Sequence, residues 1–135
     1  MPQLSVILDA CVLVPIIQAD TLLRLAEVGI YRPLWSTRIL NEVTWALERV
    51  HPDMLYSGSA RRRVGVMNKA FDDACVVGWE NLVHLIELPD LRDRHVVAAG
   101  IRGGADLIVT ANLKDFPEEE VSKFGMRVKS PMNSS

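Results

Sequence analysis

Cysteine is scarce in this chain. It has two in 135 residues, Cys11 and Cys75, with no CxxC pair and no Cys/His cluster. That excludes a disulfide framework and a structural zinc site, and leaves both thiols to be read as free and buried. The three histidines, His51, His84 and His95, show no ligand spacing. Long apolar runs are missing as well. No stretch approaches the ~18 residues of a membrane-spanning helix. The first apolar run, residues 4–8, is cut by Asp9 and has no basic segment before it, so nothing reads as a signal peptide and the expected location is the cytoplasm. Positive charge is not in excess either: 15 Lys and Arg stand against 17 Asp and Glu, a net charge of −2. A protein that coats duplex nucleic acid by bulk electrostatics is thereby disfavoured. A site whose positive charge comes from a bound metal is not.

What is present is the balance of an ordinary globular domain, 49% hydrophobic and 24% charged residues, at a length that fits one core but not two. The chain is read as one domain over 1–130 with an unstructured tail over 131–135. Period and punctuation predict a strand at 4–8, with 12–14 extending the run towards Pro15, then a helix at 16–28 ended by Gly29. A short strand follows at 32–35, then a helix capped by Ser36 or Thr37 and reaching Val50 before His51-Pro52. A loop is expected at 52–59, a long helix at 60–77 and a strand at 82–88. Asp93 opens a helix to Arg102 that Gly103-Gly104 terminates. A strand at 106–110, a short acidic helix at 117–123 and a last strand at 126–129 complete the order. Strands alternating with helices predict an α/β fold: a mostly parallel central sheet of four to five strands with helices on both faces.

In such a sheet, sites form beyond the carboxyl ends of the strands. Asp9 closes the first strand and is followed by the mostly apolar Ala10-Cys11-Val12-Leu13-Val14, so its carboxylate falls in a stretch that should be buried. A simple turn Asp is the plain alternative. Glu42 sits at the edge of the apolar arc of its helix, beside Ala46, where a solvated boundary residue is the plain alternative. Asp93 projects into the core stripe marked by Val96, Val97, Gly100 and Ile101, or it caps that helix. Asn112 and Asp115 follow the later strand with Thr110 and Lys114, and each also suits a turn or a cap. Asp106 starts its strand and so belongs to the opposite edge, while Asp90 reads as a loop acid. Carboxylates brought together repel, and a hard divalent cation held by oxygen ligands relieves that repulsion. Arg61-Arg62-Arg63 reads as phosphate contacts or a solvated helix face; Trp35, Trp45 and Trp79 as core or partner contacts.

Four segments in this order resemble the PIN domain, the nuclease fold of the VapC-type toxins. They are Val6-Ile7-Leu8-Asp9, Ile39-Leu40-Asn41-Glu42-Val43, Asp93-Arg94-His95-Val96-Val97-Ala98-Ala99, and the run from Ala105 to Pro117 that contains Thr110-Ala111-Asn112-Leu113-Lys114-Asp115. The resemblance implies a Mg²⁺- or Mn²⁺-dependent endoribonuclease that leaves a 5′-phosphate and a 3′-hydroxyl. Asp9, Glu42 and Asp93 carry over as metal-binding acids, and Asp115 or Asn112 as the fourth position, where the family commonly has an acid two residues after the strand-end Thr. Thr110, Asn112 and Lys114 carry over as supporting or substrate-binding residues. The resemblance further implies an RNA substrate, an antitoxin partner and a homodimer; no membrane is expected, from the short apolar runs. Members of the subgroup often continue with more helical sequence beyond the point where this chain stops. Two other readings differ in class. One is a PIN-like module that binds RNA or protein without cutting, to which Asn112 in place of an acid points. The other is a phosphatase or receiver-like domain, which would want a second Asp where Cys11 stands or paired acids early in the chain.

Overall fold

The computed structural model describes residues 3–131. The expected tail over 131–135 lies outside them, apart from Pro131. Four parallel strands form one sheet in the order β2-β1-β3-β4, with β1 at Ser5–Leu8, β2 at Arg32–Leu34, β3 at Leu107–Val109 and β4 at Arg127–Lys129. All residues of β1 are buried, although successive side chains point to opposite faces, so both faces of this central strand are covered. Ile7 pairs with Leu34 on one side and Ile108 on the other. Among the described residues no helix is long and apolar enough to cross a membrane.

The parallel register brings distant residues to one edge. β1 and β3 end side by side, Leu8 opposite Val109, so Asp9 and Thr110 leave the sheet together. The Asp9 N–H donates to the Val109 carbonyl at 3.0 Å, and the Thr110 N–H to that of Lys129 at 3.0 Å. Asp106 lies at the other end of β3, where it accepts a hydrogen bond from the Ser5 N–H at 2.9 Å. A helix that feeds a parallel strand must run back against it. The helix before β3 (Arg94–Gly103) therefore starts at the edge where β1 ends, and this sets Asp93 near Asp9. Gly100 lets this helix settle onto the sheet: a Cβ there would meet Met126 Sδ at 2.7 Å and Ile7 Cγ2 at 3.5 Å.

Four local expectations are corrected. Residues 10–13 do not extend β1 but form a helical turn, α1 (Ala10–Leu13), which Asp9 starts from an extended backbone. The helix expected at 16–28 is α2 (Ile16–Glu27) and that after Ser36 is α3 (Thr37–Val50), with the Ser36 hydroxyl accepting from the Ile39 N–H at 3.1 Å. Residues 52–57 are not loop: Pro52 opens α4 (Pro52–Ser57), because proline suits a first helical position, where its missing N–H has no partner to lose. The long helix is shorter, α5 (Ser59–Ala70). Asp72 and Asp73 follow its C-cap Phe71, and acids at a helix C-terminus oppose its dipole. Finally, 82–88 is not a strand. Glu80–Leu85 is a 3₁₀ turn. The edge of β2 is met instead by residues 74–76, which bridge to Trp35. The remaining helices are α6, already placed at Arg94–Gly103, and the short acidic α7 (Glu118–Val121).

Candidate active site

Asp9 is 7% exposed. One carboxylate oxygen accepts from the Ala10 N–H at 2.8 Å; the other accepts from the Thr110 hydroxyl at 2.8 Å and the Cys11 thiol at 3.4 Å. Among the described residues it has no cationic partner. Burial raises its pKa more than these hydrogen bonds lower it, and the charge of Glu42 adds to the rise. The Cys11 thiol is pushed up to about 11, first by burial and then by Asp9, so it stands as a neutral donor. Thr110 is fully buried, and its hydroxyl also accepts from the Asn112 N–H at 3.1 Å. Replacing Thr110 by Val keeps the shape but leaves a buried carboxylate short of a donor. The expected loss is about 1.5–3 kcal/mol of unfolding free energy in urea, with Thr110→Ser recovering most of it.

Asp93 takes the N-cap position of α6 without a capping hydrogen bond from its side chain. Its carboxylate is therefore not engaged by the helix end. Its pKa is raised to about 6, by burial first and then by Asp9, Asp90 and Asp115, with His95 opposing. Asp90, in contrast, is paired at the surface with Arg92 at 3.1 Å. Glu42, from the second turn of α3, turns one oxygen to His95 Nε2 at 3.0 Å and to Arg38 at 3.2 Å. Burial alone would raise Glu42, but the hydrogen bond and charge of His95, then Arg38, outweigh it and hold the carboxyl below its usual value. His95 is buried against the Trp79 ring, 5.9 Å between centroids, and its Nδ1 has no hydrogen-bond partner among the described residues.

These groups meet on one cleft of about 320 Å³, lined by Asp9, Glu42, Asp93 and Asn112 together with Cys11, Trp45 and Arg49. Asp115 is half-buried in the 3₁₀ turn Leu113–Asp115, near enough to raise Asp93 but not on the cleft wall. Lys114 is exposed beside it. The basic triplet does not join the site. Arg63 pairs with Asp20 at 3.3 Å and Arg62 donates to the Ser57 carbonyl at 2.9 Å, at a separate groove of about 680 Å³ between α2 and α5. The thiols are free as expected, but half-buried.

Among the described residues no three His, Cys, Asp or Glu side chains form a group that could enclose an ion, and Glu42 is engaged by His95 and Arg38. The donor set still suits a hard cation. Asp9 and Asp93 are carboxylates on one cleft, the charge of Asp9 acting on Asp93, and neither is in an ion pair among the described residues. Mg²⁺ is commonly bound through one or two carboxylates, keeping waters and taking up substrate oxygens. Sequence reasoning undervalued His95, Trp45 and Arg49. The last two stand three and seven residues after Glu42, so helical spacing alone puts all three on one face.

A stretch of 40 residues is 42% identical to the putative ribonuclease VapC50 of Mycobacterium tuberculosis (strain ATCC 25618 / H37Rv), over 30% of this chain and 24% of that protein. The chain thus spans about a quarter of the length of this relative. A family model described as the PIN domain matches residues 5–114, most of the sheet and every element that carries an acid of the cleft. On that match the chain belongs to the PIN domain family.

Proposed function

We propose that the protein is a Mg²⁺- or Mn²⁺-dependent endoribonuclease that hydrolyses phosphodiester bonds in single-stranded or looped RNA. The observation that carries the proposal is the pair Asp9 and Asp93. Two carboxylates far apart in the chain share a cleft, both with raised pKa and neither in an ion pair among the described residues. Asp9 and Asp93 would hold the metal. The bound ion would supply the charge that lowers the pKa of a water and neutralises the phosphoryl oxygens. Thr110 and Cys11 fix the Asp9 carboxylate by donating to it. Glu42, held by His95 and Arg38, would orient the attacking water or complete the ligand set. Asn112 offers an amide at the cleft wall and Asp115 a carboxylate just behind it, so Asn112 serves substrate or water and Asp115 the field around Asp93. Lys114 contacts phosphate. Unpaired RNA suits an open cleft because its bases and backbone can enter it.

The name of the matched relative and the family support a toxin reading: a ribonuclease held in check by a small antitoxin protein and acting as a homodimer. Cleavage of a labelled RNA with Mn²⁺ tests the enzymatic core. Wild type should cut; Asp9→Asn should lose at least about 100-fold in rate, as expected when an essential charged group is removed. Equal rates would rule the mechanism out. A second reading, a PIN-like module that binds without cutting, is favoured by Asn112 at the fourth position and by the engagement of Glu42 with Arg38. Under that reading Mn²⁺ leaves the melting temperature unchanged, whereas a ligand of the native state raises it.

A further inference from the structure

We infer that Trp45 and Arg49 form a subsite for one unpaired nucleotide of single-stranded RNA, with Trp45 stacking on the base and Arg49 holding a phosphate at the mouth of the acidic cleft. The inference rests on the nuclease reading only for the identity of the strand. Trp45 is 54% exposed, whereas Trp35 is fully buried and Trp79 is half-buried against His95. A tryptophan normally hides most of its surface, and one left open on a cleft wall offers a flat face. Its place is set by α3. Glu42, Trp45, Ala46 and Arg49 all line the same cleft, so a single helix face runs from acid to ring to guanidinium. Trp45 and Arg49 are one turn apart, about 6 Å along the axis, and Ala46 beside them leaves room above the helix.

Arg49 gives a phosphate its point of attraction on this cleft. Arg49 is the cation among the residues lining this cleft, which otherwise presents Asp9, Glu42 and Asp93. It is exposed and makes no ion pair or side-chain hydrogen bond among the described residues. Arg38, by comparison, is tied to Glu42. An acidic cleft needs a place where the incoming phosphate is attracted before it meets the carboxylates, and an unpaired guanidinium supplies it. The cleft, about 320 Å³, is at the lower end of small-ligand pocket volumes. That suits one nucleotide rather than the broad area of a stable protein contact. An aromatic face accepts any base, so the subsite grips RNA without selecting sequence.

Two readouts test it. In Ca²⁺, titration with an oligouridylate of about 12 nucleotides should quench tryptophan fluorescence in wild type. The quenching should vanish in Trp45→Phe, which removes the fluorophore that is open to the strand. In Mn²⁺, Trp45→Ala should raise Kd and KM about tenfold with little change in kcat, and Trp45→Phe should restore them to within about threefold. Arg49→Ala should weaken binding and lower the salt dependence by about one counterion. A strand with an abasic position at the stacked nucleotide should bind wild type and Trp45→Ala alike. The proposal is overturned if Trp45→Ala keeps wild-type Kd and KM. It is equally overturned if that variant binds RNA normally but loses self-association on a sizing column, which would assign the ring to a protein contact. Failure of the nuclease reading would look different, as RNA binding and Trp45 quenching without any cleavage.

Discussion

Asp93→Asn will lose RNA cleavage by about 10²–10⁴-fold and will nevertheless melt at a higher temperature than wild type in metal-free buffer near neutral pH. The two effects share one cause. Asp93 titrates at about 6 in the folded protein, because burial and the acids around it disfavour its charge, while its unfolded reference is 3.8. Between those values the folded chain keeps a proton that the unfolded chain has released. Folded-state proton binding is then the larger, so stability falls as pH rises through this window and stays lowered above it. The asparagine has no charge to desolvate, so its stability should decline less than that of wild type, Asp9 contributing in both proteins, and the two should converge near pH 4. Thermal melts of both proteins between about pH 4 and 8, in chelator, measure this difference. Divalent metal should reverse the order at neutral pH, since it stabilises a native state that offers two carboxylates and not one that offers a single carboxylate. A variant that melts lower than wild type at neutral pH without metal would show that the Asp93 carboxylate has a stabilising partner.

How far the site could be read in advance follows from which residues carry their signal locally. Asp9 and Asp93 were legible because each breaks a pattern: a carboxylate ending a largely apolar strand, and a carboxylate one turn before a buried helical stripe. Parallel alternation then brought them to one edge without any further information. The pairing of Glu42 with His95 was not legible. It joins residues 53 apart and depends on how far α6 sinks onto the sheet, which Gly100 and Met126 decide through packing. The mistaken strand at 82–88 has the same origin. Leu82, Val83, Leu85, Ile86 and Leu88 are apolar enough for a strand, but residues 74–76 already meet the edge of β2, so the run folds as a 3₁₀ turn packed beside α6. Proline misled in the other direction. Pro52 ends α3 and, at the same time, opens α4.

Trp35→Ala should cost about 3–5 kcal/mol of unfolding free energy, a large part of the roughly 5–15 kcal/mol that holds a domain of this size together. Trp35 is fully buried at the end of β2 and binds in three directions. Its indole N–H donates to Asn68 Oδ1 of α5 at 2.9 Å. Its ring meets Phe71 edge-on, 5.9 Å between centroids at 89°. Its backbone takes in the chain after α5, with the Trp35 N–H donating to Ala74 at 3.0 Å and the Val76 N–H to Trp35 at 2.7 Å. The backbone bonds survive truncation to Ala, but the ring volume does not, and the sheet beside it is too rigid to close the void. The next residue, Ser36, caps α3, so a loosened Trp35 also loosens the helix that carries Glu42, Trp45 and Arg49. Trp35→Phe separates the contributions: it fills most of the space and loses the N–H, for an expected cost of about 1–2 kcal/mol. Urea denaturation should place the Ala midpoint below that of Phe by about 1 M or more, at slopes of about 1–3 kcal/mol per molar. Equal midpoints would mean that the hydrogen bond to Asn68, rather than the packed ring, is what fastens α5 to the sheet.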